Sequence, residues 1–178
     1  QALQPWQTLD LPQGVVIGLY PIGDQARALL LPRTEPPFGA SMAHADWLAG
    51  EILAGVADIS EPTFEAFIPQ MLNFESVDGV NFKKGCYPGQ EVVARSQFRG
   101  TLKRRTFLVR CDQSVKAGAE VMAGNETAGV IAQSAALPSG TGIALACLLI
   151  SHATGHHLTA DGVNLQSLPL PYPLLEDI

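Results

Sequence analysis

The chain of 178 residues is long enough to bury a core and to hold one large or two small domains. Hydrophobic residues make up 47% and charged residues 16%, a composition that is typical of globular proteins and excludes a disordered one. The net charge of −6 argues against a protein that coats nucleic acid, because such binding needs a basic surface.

The early part of the chain predicts short strands followed by a helix. Extended segments are predicted between Trp6 and Leu31, with a turn at Gly23–Asp24, and the prolines from residue 32 to 39 indicate a loop. Ser41 can cap a helix that runs to about Gly55, with one mostly apolar face.

Further weak helical signals precede a change of character at Arg104. A helical turn is predicted at Thr63–Phe67 and a short helix at Gln90–Gln97. From Arg104 onward, short apolar strands alternate with turns, which is typical of a small barrel or sandwich. The predicted strands are Thr106–Cys111, Glu120–Met122, Thr127–Ser134, Gly142–Ile150 and Asn164–Leu168. The proline-rich segment from Pro169 to Pro173 is expected to cross the surface.

The predicted fold class is therefore α+β in two parts. Residues 1–103 form an α+β portion, and residues 104–178 form a small antiparallel β-barrel. The sequence begins at Gln1 without an initiator Met, so we expect an N-terminal portion to be missing.

The cysteines and histidines predict a reduced protein without a bound metal. Cys86, Cys111 and Cys147 are scattered and form no Cys-x-x-Cys pair, which argues against a disulfide framework and against metal ligation. Three histidines share a loop without an acidic neighbour in sequence, so no metal site is predicted there: His152, His156 and His157. The longest apolar run, Ile143–Ile150, is too short to span a bilayer, and we expect a cytoplasmic protein.

One loop, Lys84–Glu91, carries the residues that are best suited to chemistry. Tyr87-Pro88-Gly89-Gln90 has the proline and glycine that a type II turn requires, and Gly85 adds backbone freedom just before Cys86. Lysines precede the thiol and arginines follow it, and positive charge near a cysteine favours the reactive thiolate. We therefore predict Cys86 as a reactive thiol, whereas Cys111 and Cys147 are predicted to be small buried hydrophobes.

The same loop carries a resemblance to a known family. The sequence is similar to the signature of the YgfZ family of folate-binding, tRNA-modification-associated proteins, which are related in fold to the aminomethyltransferase (T-protein) of glycine cleavage. The matching segments are Phe82–Arg95, Phe98–Gly100, Lys103–Arg104, Phe67–Gln70 with Asn73 and Gly79, and more weakly Leu168–Tyr172.

The resemblance implies a T-protein-like α/β portion, a C-terminal β-barrel and the binding of tetrahydrofolate. It also implies a role with iron–sulfur enzymes or their assembly proteins, including those that modify tRNA. Cys86 matches the family's functionally important cysteine, and Trp47 matches an aromatic residue that lines the folate site. The remaining predicted site residues are Gln90 and Glu91 beside the thiol, and Lys84, Gly85, Tyr87, Arg95 and Arg99 toward the folate.

Two other functions stay open at this point. The first is a one-carbon transferase like the T-protein, which needs a carboxylate beside the folate; no carboxylate in the sequence has a distinctive setting for it. The second is an RNA-contacting module, because seven basic residues cluster within one short span: Lys83, Lys84, Arg95, Arg99, Lys103, Arg104 and Arg105.

Overall fold

The computed structural model describes residues 2–35, 42–82, 84–85, 91, 93–94 and 102–175. Its first element is a three-stranded antiparallel sheet in the order β1-β2-β3. The strands are β1 (Thr8–Leu11), β2 (Gly14–Ile22) and β3 (Gln25–Pro32). The predicted strands and the turn at Gly23–Asp24 are confirmed, and Gly23 supplies the positive φ of 54° that this turn requires.

Helix α1 spans His44–Leu53 and follows the sheet. Its N-cap is Ala43, which makes no capping hydrogen bond with its side chain, and Ser41, the predicted cap, lies outside the described residues. Asp46 lies in the first turn, as predicted, where its charge is favourable to the helix dipole. No helix in the described part of the chain is long and apolar enough to cross a bilayer.

Two short 3-10 helices connect α1 to the barrel. The predicted turn at Thr63–Phe67 is wrong in position, because the 3-10 helix is Glu61–Thr63. It begins at Glu61 because Ser60, its N-cap, forms a reciprocal capping box with Thr63. The second is Pro69–Leu72. Of the helix predicted at 90–97, residues 91, 93 and 94 are helical, and the other five lie outside the described residues.

Residues 104–168 form a closed six-stranded barrel in the order β4-β7-β6-β5-β8-β9, with antiparallel pairing throughout. The predicted barrel is confirmed. The strands are β4 (Arg104–Cys111), β5 (Glu120–Ala123), β6 (Glu126–Ala136), β7 (Gly142–Leu149), β8 (Leu158–Ala160) and β9 (Val163–Leu168). Strand β8, which closes the barrel between β5 and β9, was not predicted.

The barrel has a core inside and a second core on its outer surface. Strand β7 shows the arrangement: Ala144, Ala146 and Leu148 belong to the inner cluster, and Ile143 and Leu145 belong to the outer one. The outer cluster also contains Ile52 of α1, so the helix is packed against the barrel wall. The first part of the chain is thereby held against the barrel by buried apolar contact.

The C-terminal segment 169–175 has no strand, as expected, but it does not simply cross the surface. Tyr172 is only 9% exposed, and its hydroxyl donates a hydrogen bond to the Gly55 carbonyl oxygen at 2.6 Å. Gly55 has a φ of 72°, and a Cβ at this position would lie 2.7 Å from the Tyr172 ring. The expectation of a surface tail is therefore wrong for Tyr172, because its ring is buried at the end of α1.

Residues 2–103 contain the α+β elements described above. The likeness of this part to the T-protein, and a domain boundary at residue 104, stay predictions.

Candidate functional site

A cleft of about 360 Å³ lies between strand β3 and helix α1. Trp47 and Asp46 line it from the helix, and Arg27 lines it from the strand. Apolar side chains, among them Ile22 and Leu53, complete its walls. Its volume is at the lower end of the range that small-molecule pockets occupy, which runs from about 300 to 1,000 Å³.

Arg27 is held in a fixed position beside the Trp47 ring. The centre of its guanidinium group lies 5.2 Å from the ring centroid, within the range of a cation–π contact. The same group forms an ion pair with the Glu51 carboxylate and donates to the Tyr20 carbonyl oxygen at 3.3 Å. Because the guanidinium covers one face of the indole, a stacked ligand would use the other face or the ring edge.

The residues of this cleft fit a pterin-like group. Trp47 offers an aromatic surface for a flat heterocycle, and Asp46 offers a carboxylate that can accept hydrogen bonds from ring and amino N–H groups. A carboxylate therefore lies beside the predicted folate residue, although no carboxylate stood out in the sequence. It was missed because Asp46 in sequence is an ordinary first-turn acid of a helix.

Three other predicted site residues are described, and none of them lines this cleft. Lys84 and Gly85 are exposed, and Glu91 is exposed at a helical position. A Cβ at Gly85 would meet open space, so packing does not explain the glycine there. The other five predicted residues lie outside the described residues: Cys86, Tyr87, Gln90, Arg95 and Arg99.

The remaining two cysteines are buried, as predicted. Cys111 is 0% exposed and Cys147 is 1% exposed. Desolvation by burial raises the pKa of each thiol to about 11, and Asp112 adds to the effect at Cys111. At neutral pH both thiols are therefore protonated and shielded from solvent, which is the opposite of what a reactive cysteine requires.

A buried polar junction lies between the segment before the Cys86 loop and the start of strand β4. It consists of Asn73, Glu75 and Arg105, all of which are less than 9% exposed. Arg105 donates to the Glu75 carboxylate at 2.7 Å and to the Leu175 carbonyl oxygen at 2.7 Å, and it contacts Asn73 Oδ1 at 3.5 Å. Arg105 is thus unavailable to RNA, so its place among the predicted RNA-contacting residues is wrong.

The histidine loop has an acidic neighbour that the sequence did not indicate. His152 Nε2 lies 3.3 Å from Glu126 Oε2, and the His152 and His156 rings are 5.1 Å apart. Glu126 is distant in sequence and comes close because it begins strand β6. Within the described part of the chain, no group of three or more metal-ligating side chains is present.

Comparison with known proteins relates the chain to one family. Residues 103–170 match the family described as CAF17, C-terminal beta-barrel domain. Two relatives carry the name tRNA-modifying protein YgfZ: that of Edwardsiella ictaluri is 46% identical over 66 residues, and that of Cronobacter sakazakii is 53% identical over 62 residues. An uncharacterized protein of Haemophilus influenzae is 39% identical over 101 residues.

These alignments cover 37%, 35% and 55% of this chain, respectively. They span only 20%, 19% and 36% of the lengths of the three relatives. The matched barrel corresponds to the observed strands β4 to β9. Residues 103–170 are thus similar to the CAF17 C-terminal beta-barrel domain, and parts of the chain are similar to proteins named tRNA-modifying protein YgfZ.

Proposed function

We propose that this chain is part of a cytoplasmic folate-binding accessory protein that supports tRNA modification and the assembly or maintenance of iron–sulfur enzymes. The names of the YgfZ relatives support the connection with tRNA modification. The cleft at Trp47 carries the folate part of the proposal, because it joins an aromatic surface, a carboxylate and a fixed cation. When bound, tetrahydrofolate would supply a carrier for one-carbon units.

Cys86 is the proposed key thiol, and elimination supports it. Cys111 and Cys147 are buried, with pKa values raised to about 11. Thiol chemistry at neutral pH therefore falls to Cys86, which follows the exposed residues Lys84 and Gly85 in sequence. The neighbouring lysines favour its thiolate form, as they would for any cysteine close to positive charge.

A fluorescence titration with two single-tryptophan variants tests the folate site. In Trp6→Phe, Trp47 is the remaining tryptophan, and 5-formyltetrahydrofolate should quench its emission along a saturating curve. In Trp47→Phe, the remaining Trp6 is 50% exposed and should show only the linear loss that absorption by the ligand produces. Identical curves for the two variants would contradict binding at the cleft.

The thiol is tested separately from the cleft. Cys86→Ser should leave the saturating quench of Trp47 unchanged and should remove the ability to complement cells that lack the protein. Iodoacetamide should label Cys86 in the folded protein, whereas Cys111 and Cys147 should be labelled only after unfolding. A Cys86 that resists labelling would end its assignment as a reactive thiol.

A folate-dependent aminomethyltransferase is the second candidate, and Asp46 is the observation that favours it. Its carboxylate lies at the cleft, where such a transferase needs an acid or base beside the folate. An assay of methylene transfer to tetrahydrofolate decides between the two. If the parent protein shows turnover and Asp46→Asn abolishes it, the transferase is favoured. If the parent protein binds folate normally but shows no turnover, the accessory protein is favoured.

A further inference from the structure

Arg27 is a cation of the cleft whose role the proposed function leaves open. It lies on strand β3, and its side chain is only 11% exposed. A guanidinium group beside a folate cleft could bind a carboxylate of the glutamyl tail, because arginine is well suited to carboxylates. The contacts of Arg27 within the protein favour a different role.

The guanidinium group of Arg27 already has an anionic partner. Its Nη2 donates to the Glu51 carboxylate, and its Nη1 donates to the Tyr20 carbonyl oxygen at 3.3 Å. The Glu51 side chain is itself only 20% exposed, so a ligand carboxylate that displaced it would leave a largely buried charge without its partner. Arg27 is therefore poorly placed to bind an anionic ligand.

The same guanidinium group lies directly against helix α1. A Cβ at Gly50 would lie 3.5 Å from Arg27 Nη2 and 3.6 Å from Cζ, so the absence of a side chain at Gly50 leaves room for the group. Trp47 and Glu51 are four residues apart on this helix and therefore share one face. Arg27 contacts both of them from the strand, so its ion pair with Glu51 fixes its position beside the Trp47 ring.

This contact has a direct consequence for the Trp47 side chain. Trp47 is only partly buried, and an indole in such a position can adopt more than one rotamer. A guanidinium group 5.2 Å from the ring centroid favours the rotamer that keeps the ring beside it. An indole that is ordered before the ligand arrives binds more tightly, because the cost of ordering is not charged to binding.

We infer that Arg27 is a positioning residue for Trp47: its guanidinium group, fixed by Glu51, holds the indole so that the opposite face of the ring receives a flat heterocycle. The inference rests on the proposed folate-binding role of the cleft and adds a specificity to it. Arg27 acts through Trp47 and does not bind the glutamyl tail, so the cleft recognises the ring system of the ligand.

Calorimetric titration of the parent and of Arg27→Gln with two ligands tests this inference. The first ligand is 5-formyltetrahydrofolate, and the second is 6-methyltetrahydropterin, which has the pterin ring but no glutamyl carboxylate. Arg27→Gln should raise the Kd of both ligands by the same factor, about two- to tenfold, which corresponds to the ordering of one side chain on binding.

A double-variant cycle shows whether Arg27 acts through the indole. Trp47→Leu keeps an apolar side chain but removes the ring that the guanidinium group contacts. In this background, Arg27→Gln should leave the Kd of 5-formyltetrahydrofolate within about twofold of the single variant, because the two changes remove one shared effect.

The ligand-free protein gives an independent readout. In the Trp6→Phe background Trp47 is the remaining tryptophan. The addition of Arg27→Gln should weaken its near-ultraviolet circular dichroism bands and increase the quenching of its fluorescence by acrylamide. Far-ultraviolet spectra and melting temperatures show whether the fold is retained, so that a lost indole signal is not mistaken for unfolding.

Arg33→Gln is the matched control. Arg33 directly follows strand β3 and also forms an ion pair, with Asp10 at 2.6 Å, but its side chain is 48% exposed and it does not line the cleft. This variant should bind both ligands with the Kd of the parent and should leave the Trp47 spectra unchanged.

The outcomes separate the inference from the proposed function. If neither ligand binds the parent, folate binding at the cleft fails. If the parent binds and Arg27→Gln binds both ligands equally well, the positioning role is wrong and the folate site stands. A loss confined to 5-formyltetrahydrofolate would mean that Arg27 binds the tail, and an undiminished loss in the Trp47→Leu background would mean that it does not act through the indole; either result contradicts the inference.

Discussion

Replacement of Arg105 by methionine should destabilise the protein more than any exposed charge on the same strand. The Arg105 side chain is 8% exposed and the Glu75 side chain 2%, and their ion pair is 2.7 Å long. Arg105→Met leaves the Glu75 carboxylate buried without this partner. It also removes the donor to the Leu175 carbonyl oxygen, which holds the C-terminal segment.

The magnitude follows from the cost of an uncompensated buried charge. Breaking a buried ion pair by removing one partner costs about 3–5 kcal/mol of unfolding free energy. For a chain of this size, each kcal/mol corresponds to about 2–4 °C in melting temperature. The expected loss for Arg105→Met is therefore about 6–20 °C.

Thermal and urea unfolding, followed by circular dichroism, measure this loss. Arg110→Met is the matched control, because Arg110 lies on the same strand β4 and is exposed; it should shift the melting temperature by no more than about 2 °C. The double variant Glu75→Leu/Arg105→Met should recover much of the loss, since no buried charge is left unpaired. Equal losses for Arg105→Met and Arg110→Met would refute the reasoning.

Three further changes test the packing. In Gly129→Ala the new Cβ would lie 2.0 Å from the Cys147 carbonyl oxygen, so the barrel must shift, and urea unfolding should show a loss of about 1–3 kcal/mol. Tyr172→Phe leaves the buried Gly55 carbonyl unsatisfied and should cost about 1–3 kcal/mol in the same assay. The pKa of the Cys111 and Cys147 thiols is raised from 9.0 to about 11, so the folded state holds these protons more tightly than the unfolded state does. Their contribution to stability is full below pH 9 and is lost as pH rises through about 11; melting temperatures should fall over this window, less steeply in Cys111→Ala.

Local sequence signals predicted most of the barrel. Strands β4, β5, β6 and β9 have alternating or β-branched residues bounded by turn residues, and these features act over a few residues only. Strand β8 was missed because it has three residues and follows a loop of glycine and histidine. It is a strand because β5 and β9 both pair with it, which is a tertiary effect.

The sequence of β7 is apolar throughout, so it could not predict which element packs against the outer face of this strand. A run such as Gly142–Leu149 predicts burial on both faces but not what covers the outer face. The structure shows that α1 does so through Ile52. No period within β7 could have indicated a helix that lies about ninety residues earlier.

The candidate site also has one part with a local sequence signal and another part that depends on the tertiary fold. The Cys86 loop was predicted from the spacing of its own residues, because a turn, a thiol and flanking charges are all local features; it stays a prediction, since residues 86–90 lie outside the described part of the chain. The Trp47 cleft depends on Arg27 of strand β3 and Asp46 of helix α1, which line the same cavity. Because the two residues lie on different elements, no local sequence pattern could predict that they share a site.

The polar residues in the segments that resemble the family signature have different partners, and only the folded structure shows which partner each residue has. Gln70 and Asn73 are neighbours in one short turn, yet Gln70 reaches the segment after the Cys86 loop while Asn73 reaches strand β4. Arg105 looks like one more surface cation in a basic run, but it is buried against Glu75. A charged or amide side chain is expensive to bury without partners, so each of these residues is explained by the partner it meets.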